Sequence, residues 1–282
     1  MNIVSVLMIT YAHENYIEQA INSVLMQECN FEVELIITND CSPDNTDGVI
    51  KKIIKNHPKA SWIRYIRHEK NIGMMTNFVF TFKEARGKYI AICEGDDYWT
   101  DPNKLQKQVD FLEGNEEYVL CFHNVLIQDD KGIMKKDAIS DHLGNTMSMI
   151  DLAKGNFIHT PSVVFRNNFE LPKWYYSLPL GDWPLYLIII KDKKIKKLDD
   201  VMCVYREHPN GIWSQTTKNQ KYLVIIKTIR ILLENLNADL IVKDLLSKSL
   251  EKYEKRIAYN KKVFFNTFKK VIKKLTSKFN LD

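Results

Sequence analysis

The chain has 282 residues, 45% of them hydrophobic, enough to fill the core of one large domain or of a domain with an appendage, and this excludes a disordered or fibrous chain. Lys and Arg outnumber Asp and Glu by 40 to 35, yet residues 251–282 alone carry +7, so the body before them stands at −2 and the basicity belongs to the tail. No apolar run approaches the ~18 residues of a spanning helix, the start M-N-I-V-S-V-L-M-I-T has no export signal, and Cys29, Cys41, Cys93, Cys121 and Cys203 are scattered without a C-x-x-C pair, so a cytosolic or peripheral protein with reduced thiols is expected.

The Val-, Ile-, Leu- and Met-rich run 3–9 predicts a strand buried on both faces. Residues 16–27 predict the helix after it, with Ile17, Ala20, Ile21, Val24 and Leu25 at helical spacing. Strand and helix recur at 31–38 and 47–56, separated by the turn N-D-C-S-P-D-N-T, then at 63–67 and 74–85, then at 89–93 and 103–112. Four β-α units in succession predict a mostly parallel sheet with helices on both faces, the nucleotide-binding type of α/β architecture. Further on, S-L-P-L-G-D-W-P-L-Y-L-I-I-I predicts an apolar helix starting near Trp183, and V-Y-R-E-H-P-N-G-I-W-S-Q predicts a loop. Residues 218–282 contain no Gly or Pro and read as helix-forming throughout, with Ile225, Ile229, Leu232 and Leu233 as a face that docks on the body.

In such a sheet, ligands sit beyond the carboxyl ends of the strands. The polar residues there are Thr10, Tyr11 and Asn15, then Asn39, Asp40 and Ser42, then His68 and Asn71, then Glu94, Asp96 and Asp97, and all four sets are expected on one edge. Three carboxylates at the tip of an apolar strand repel one another unless a cation neutralises them, and hard oxygen ligands select Mg²⁺ or Mn²⁺. The plainer alternative is helix capping, a role that suits Asp101 before Pro102 but not Asp96 and Asp97, which lie too far upstream.

The order V-S-V-L-M-I-T-Y, E-L-I-I-T-N-D-C-S-P-D-N-T, N-I-G and G-K-Y-I-A-I-C-E-G-D-D-Y-W-T-D-P-N-K-L closely resembles the family 2 glycosyltransferases of the GT-A fold, over about the first 215 residues. The resemblance implies a GT-A domain over 1–216, with a nucleotide-sugar half (1–115) and an acceptor half (116–216), and a helical extension over 217–282. It implies an inverting transfer of a sugar from a nucleotide diphosphate, most often UDP, to a hydroxyl of a glycan or lipid-linked glycan, with Mn²⁺ or Mg²⁺. Tyr11 would lie against the base and Asp40 would accept a hydrogen bond from it. Asp96 would contact ribose or metal, and Asp97 would ligate the metal. Glu94 stands where many relatives have Asp, a departure with which its longer side chain would reach the metal only through water. Thr10, Ser42, His68 and Asn71 would surround the nucleotide and diphosphate.

The acceptor half would supply the general base, and Asp182 stands in that place, although the same position suits a helix cap. H-T-P-S-V-V-F-R (159–166) resembles the strand leading toward the acceptor. His208 would complete the metal's coordination or be simply solvated, and Arg206 would neutralise diphosphate. Trp183 and Trp213 would serve acceptor or lid, Trp213 alternatively only packing its loop. The absence of a glycine-rich basic loop after the first strand disfavours a sugar-nucleotide-forming nucleotidyltransferase, and the retained acids disfavour a non-catalytic glycan-binding relative.

At the end of the tail, Phe264, Phe268, Val271, Ile272, Leu275 and Phe279 share one helical face and Lys262, Lys269, Lys270, Lys273 and Lys274 the other. This pattern suits contact with an anionic membrane, as at the inner face of a bacterial cell membrane where surface polysaccharide is made, or packing on the protein's own domain or a second subunit. Nucleic acid is disfavoured, because the aromatic rings lie on the apolar stripe and not among the lysines.

Overall fold

The computed structural model describes the backbone of residues 3–279 and the side chains of residues 4–260. Its first part follows the predicted alternation: β1 (Ile3–Thr10), α1 (Ile17–Leu25), β2 (Glu32–Asn39), α2 (Thr46–Asn56), β3 (Ile63–Arg67), α3 (Met74–Glu84) and β4 (Tyr89–Ile92). β1 pairs in parallel with β2 and β4, and β2 with β3. Val4, Val6 and Met8 of β1 and Val33, Leu35 and Ile37 of β2 pack with the apolar face of α1, whereas Leu7 and Ile36 join Phe78 and Val79 of α3 in a second apolar layer. Because successive residues feed two apolar layers, the strands read as unbroken apolar runs.

The chain continues as β5 (Tyr98–Trp99), α4 (Lys104–Gly114), β6 (Tyr118–Gln128), β7 (Met134–Lys136), β8 (Thr146–Met147), α5 (Met149–Lys154), β9 (Val164–Arg166), α6 (Asp182–Ile190), β10 (Lys194–Arg206), α7 (Ile212–Gln215), α8 (Lys218–Asn235) and α9 (Leu240–Phe279). The sheet order is β3-β2-β1-β4-β9-β6-β10-β5, with β7 added to β6 and β8 to β10. β9 is antiparallel to both β4 and β6 and joins the parallel first half to the parallel pair β6–β10.

Three expectations about elements change. The strand expected over 159–166 is confined to Val164–Arg166, because Pro161 sits in a 3₁₀ turn at Thr160–Ser162. The V-Y-R that read as loop is the end of β10, and the loop begins at Glu207. The tail is two helices, broken at 236–239, where the Asp239 carboxylate accepts the Val242 N–H at 2.8 Å and so starts α9. Ile229, Leu232, Leu236, Val242 and Leu246 lie in the same apolar core as α5 and α6 residues, and each such burial contributes roughly 1.5–3 kcal/mol. Ile225 and Leu233 pack against it partly buried. The Phe/Lys stripe of 261–279 lies outside the described side chains. Among the described residues no helix is long and apolar enough to cross a membrane.

Lys104 is wholly buried beneath the sheet. Its Nζ donates to Gln108 Oε1 at 2.7 Å and lies 4.2 Å from the centre of the Trp99 ring. Burial pushes this amine down to about 8 from 10.5, against the opposing pull of Cys203, Cys93 and Cys121. A base depressed by folding contributes stability that is present above its unfolded value and lost as pH falls toward the folded one. The native protein is therefore expected to gain up to about 3 kcal/mol over Lys104→Met between about 8 and 10.5, read from paired urea titrations. Parallel stability curves for the two proteins would refute it.

Candidate active site

The strand register sets one edge. Thr10 is the partner of Asn39 and Asn39 of Arg67, so the polar strand ends align. The loops after β1 and β2 are tied together: Ala12 N–H donates to Ser42 Oγ, His13 N–H to Thr46 Oγ1 and Glu14 N–H to Asp44 Oδ2, each at 3.0 Å. Ala12 and Cys41 take left-handed backbone (φ 57° and 58°) to make these turns. Tyr11 is thereby left 45% exposed at the rim while Thr10 stays buried.

Asp40, buried, accepts the N–H groups of Ile72 and Gly73 at 2.7 and 2.9 Å, and Asn71 Oδ1 also accepts from Gly73 N–H. Half of the Asp40 lone pairs thus hold the 71–73 loop over the edge, a task the sequence reading did not foresee. His68, directly after β3, turns its ring to α3, with Nε2 2.9 Å from Asn77 Oδ1 and the ring against Phe80.

Beyond β4 the chain keeps running beside β1, with Cys93 N–H donating to Leu7 O and Gly95 N–H to Ile9 O, both at 3.0 Å. A Cβ on Gly95 would lie 2.6 Å from Thr10 Oγ1, so this close approach requires glycine. β5 then pairs antiparallel with β10, Tyr98 opposite Val204 and Trp99 opposite Cys203, which brings the acids against the end of β10. Asp97 Oδ1 accepts Arg206 N–H at 2.8 Å, and its Oδ2 is buried without a partner. Asp96 Oδ2 lies 3.1 Å from His208 Nε2 and 3.7 Å from His13 Nε2.

Glu94, Asp96 and Asp97 offer oxygens within 4.8 Å of one another, and His13, Asp96 and His208 do the same with their own donors. Burial raises Glu94 to about 8, with the Asp96 and Asp182 charges adding to it. Burial also raises Asp97 well above the carboxylate range, helped by Asp96 and Glu94. Burial would raise Asp96 too, but the His208 hydrogen bond and the His13 and His208 charges outweigh it and hold the group low. Three acids so close ionise together only around a cation, and the unpartnered Asp97 Oδ2 is an atom such a cation would take. Carboxylate oxygens fit Mn²⁺ or Mg²⁺, and an imidazole nitrogen beside them suits Mn²⁺ better than Mg²⁺.

Arg206 donates to the Asp96 carbonyl at 2.5 Å and to Gln19 Oε1, and its guanidinium lies over Tyr98 at 4.3 Å and Tyr16 at 5.3 Å. It braces the acid loop, with donors remaining for an anion. Asp182 is the first residue of α6, inside the N-cap Gly181. Asn156 Nδ2 donates to its Oδ2 at 2.8 Å, and Oδ1 is buried without a partner. Burial raises its carboxyl, more than the hydrogen bonds and His159 lower it. The Asp182 charge helps raise Glu94, and the buried Tyr186 hydroxyl feels both groups, so the two carboxylates lie near one another.

Trp183, expected at the acceptor or a lid, is placed in the apolar core. It is 2% exposed and its Nε1 donates to Leu152 O at 2.8 Å, because the indole faces the apolar core. Trp213 does border an opening of about 390 Å³, with Tyr205, Glu207, His208 and Lys221, whose Nζ lies 5.2 Å from the Trp213 ring. The structure thus gathers Thr10, Glu94, Asp96, Asp97, Arg206 and His208, and places Tyr11, Asp40 and Ser42 in the loops after β1 and β2 and Asn71 in the loop after β3. Sequence reasoning missed His13, three residues past the end of β1, where its place on the edge was a usable signal. It also missed Asn156, whose contact with Asp182 spans 26 residues and has no local signature.

A mostly parallel, helix-flanked sheet carrying an acid cluster at its carboxyl edge and a further buried carboxylate, Asp182, near that cluster is the GT-A type of α/β protein. Residues 5–169 match the family described as glycosyl transferase family 2, and the chain belongs to that family. An uncharacterized protein of Mycobacterium tuberculosis is 37% identical over 223 residues, which is 77% of this chain and only 63% of that protein's length. TuaG of Bacillus subtilis, provisionally named a teichuronic acid biosynthesis glycosyltransferase, is 29% identical over 64% of this chain and 73% of its own. In fold the chain is similar to S. aureus TarS 1–349 in complex with UDP-GlcNAc (TM-score 0.65, 18% identity, 89% of this chain and 72% of that one). It is also similar to the mannosyltransferase PcManGT of Pyrobaculum calidifontis in complex with GDP-Man and Mn²⁺ (TM-score 0.62, 13% identity, 88% and 68%).

Proposed function

We propose that the protein is an inverting glycosyltransferase that moves a sugar from a nucleotide diphosphate, a UDP-sugar by preference, to a hydroxyl of a glycan or lipid-linked glycan. The observation that carries this reading is a pair of buried, unpartnered carboxylate oxygens, Asp97 Oδ2 in the acid cluster and Asp182 Oδ1 on α6, with Asp182 close enough for its charge to act on Glu94 of that cluster. The first set is suited to a cation and a diphosphate, the second to a proton. Tyr11 would lie against the base, Asp40 would accept from it, and Asp96 and Asp97, with Glu94, His208 and His13 around them, would hold Mn²⁺ or Mg²⁺. When bound, that ion stabilises the negative diphosphate as it leaves. Arg206 adds positive charge beside it, and Asp182 takes the acceptor's proton as the anomeric carbon is attacked.

Family membership, the UDP-GlcNAc complex of TarS and the GDP-Man and Mn²⁺ complex of PcManGT support this reading. The name of TuaG supports a place in bacterial surface polysaccharide synthesis. A cytoplasmic protein peripheral to the cell membrane is part of the same proposal, carried by the lysine- and phenylalanine-rich pattern at the end of the sequence. The test is nucleotide release across a panel of sugar nucleotides, with and without Mn²⁺, in the presence of glycan acceptors. Mn²⁺-dependent release of UDP from one donor is expected. Release of pyrophosphate from a nucleoside triphosphate and a sugar phosphate would show a nucleotidyltransferase instead, and binding without turnover of any donor would show a non-catalytic relative.

A further inference from the structure

Two openings meet at the first turn of α8. The nearer one, of about 390 Å³, borders the acid cluster through His208 and carries Trp213, Asp129, Asp130, Glu207 and Lys221. The farther one, of about 610 Å³, lies between α8 and α9 and is lined by Lys218, Tyr222, Lys255, Arg256, Tyr259 and Asn260. Lys218 and Lys221 are three residues apart on one helix, about 5–6 Å between Cβ atoms, so the openings adjoin.

Their chemistry is opposite. Carboxylates and an indole in the nearer opening suit hydroxyls and the face of a sugar, and they repel an anion. The farther opening holds three cations and no acid among its lining residues. The nearby acids of α9 are engaged: Glu254 with Arg230 at 2.7 Å and Glu251 with Lys255 at 3.0 Å. Among the described residues, Lys218 and Arg256 have no carboxylate at ion-pair distance. The Arg256 guanidinium instead lies 5.6 Å from the centres of both the Tyr222 and Tyr253 rings, which orients its fork. An oriented guanidinium with an ammonium and a phenol beside it is phosphate-binding chemistry. A bilayer would be met by a convex stripe, whereas these groups line a recess between two helices.

We propose that this recess binds a phosphate group carried by the acceptor, so that the acceptor is a phosphate-bearing glycan whose neutral end reaches the opening at Trp213 and His208. The proposal rests on the transferase reading and names the acceptor class for it. Binding of inorganic tripolyphosphate, of neutral dextran and of phosphatidylglycerol vesicles to the full chain is measured by calorimetry and sedimentation, in metal-free buffer with UDP present. Lys218→Glu and Arg256→Lys are compared with the unaltered protein after their melting temperatures are matched. Tripolyphosphate is expected to bind, more weakly as salt rises, and about tenfold more weakly to Lys218→Glu. Arg256→Lys keeps the charge and loses the fork, and is expected to lose affinity by a smaller factor. Equal affinity in all three proteins, equal binding of dextran, or a loss confined to vesicle binding would each overturn the proposal. UDP binding is read in a separate titration with Mn²⁺ added: its absence from the unaltered protein would sink the donor reading and leave the phosphate result standing.

Discussion

Asp97→Asn is expected to lower kcat/KM on the order of 10³-fold and, without metal, to leave the protein at least as stable as before. The two effects have opposite signs for one reason. Asparagine keeps an oxygen for the Arg206 N–H now held by Oδ1, so the β5–β10 junction is preserved. It replaces the buried, unpartnered Oδ2 by a neutral amide and removes the repulsion from Asp96 and Glu94, which together with burial holds Asp97 high. The melting temperature of the unaltered protein should rise with Mn²⁺ and that of Asp97→Asn should not. Because Glu94 is raised to about 8 and a ligand carboxyl must lose its proton, Mn²⁺ affinity should strengthen as pH rises toward that value. Turnover of Asp97→Asn within tenfold of the unaltered protein would remove Asp97 from the proposed metal site.

Asp182→Asn is expected to lower kcat on the order of 10³-fold with little change in donor KM. Asn156 donates to Oδ2, and an asparagine oriented with its oxygen there keeps that bond, so the substitution isolates the loss of the basic oxygen Oδ1. Burial holds the Asp182 carboxyl above the ordinary range, which makes it a better proton acceptor near neutrality than an exposed aspartate. The acidic limb of the kcat profile should accordingly lie above that of a solvated carboxylate. A variant that retained full turnover, with an unmoved acidic limb, would leave Asp182 as a helix-start residue only.

How far the sequence carried can be read from particular residues. Ile3 to Thr10 and Glu32 to Asn39 were legible because each strand feeds two apolar layers and ends on a polar residue, a pattern that requires no knowledge of partners. Glu94, Asp96 and Asp97 were legible because carboxylates at the tip of such a strand are costly without a purpose. Trp183 was misplaced because an apolar helix does not disclose which of its faces meets the core, and all but two of its nine residues prove buried. Lys104 escaped notice because an isolated lysine inside a helical pattern reads as solvated, whereas here Gln108 and Trp99 enclose it.

The amino-acid sequence by itself determined the α/β order, the edge on which the polar strand ends gather and the acidic character of that edge, since all three follow from local periodicity and from chemistry at strand ends. Only the tertiary structure decided that β5 pairs with β10, and that pairing is what carries His208 and Arg206 to Asp96 and Asp97 across about 110 residues of chain. It likewise decided the meeting of Asn156 with Asp182 and of α8 with α9 at the basic recess. Contacts of that separation are set by packing and register, which no short stretch of residues encodes.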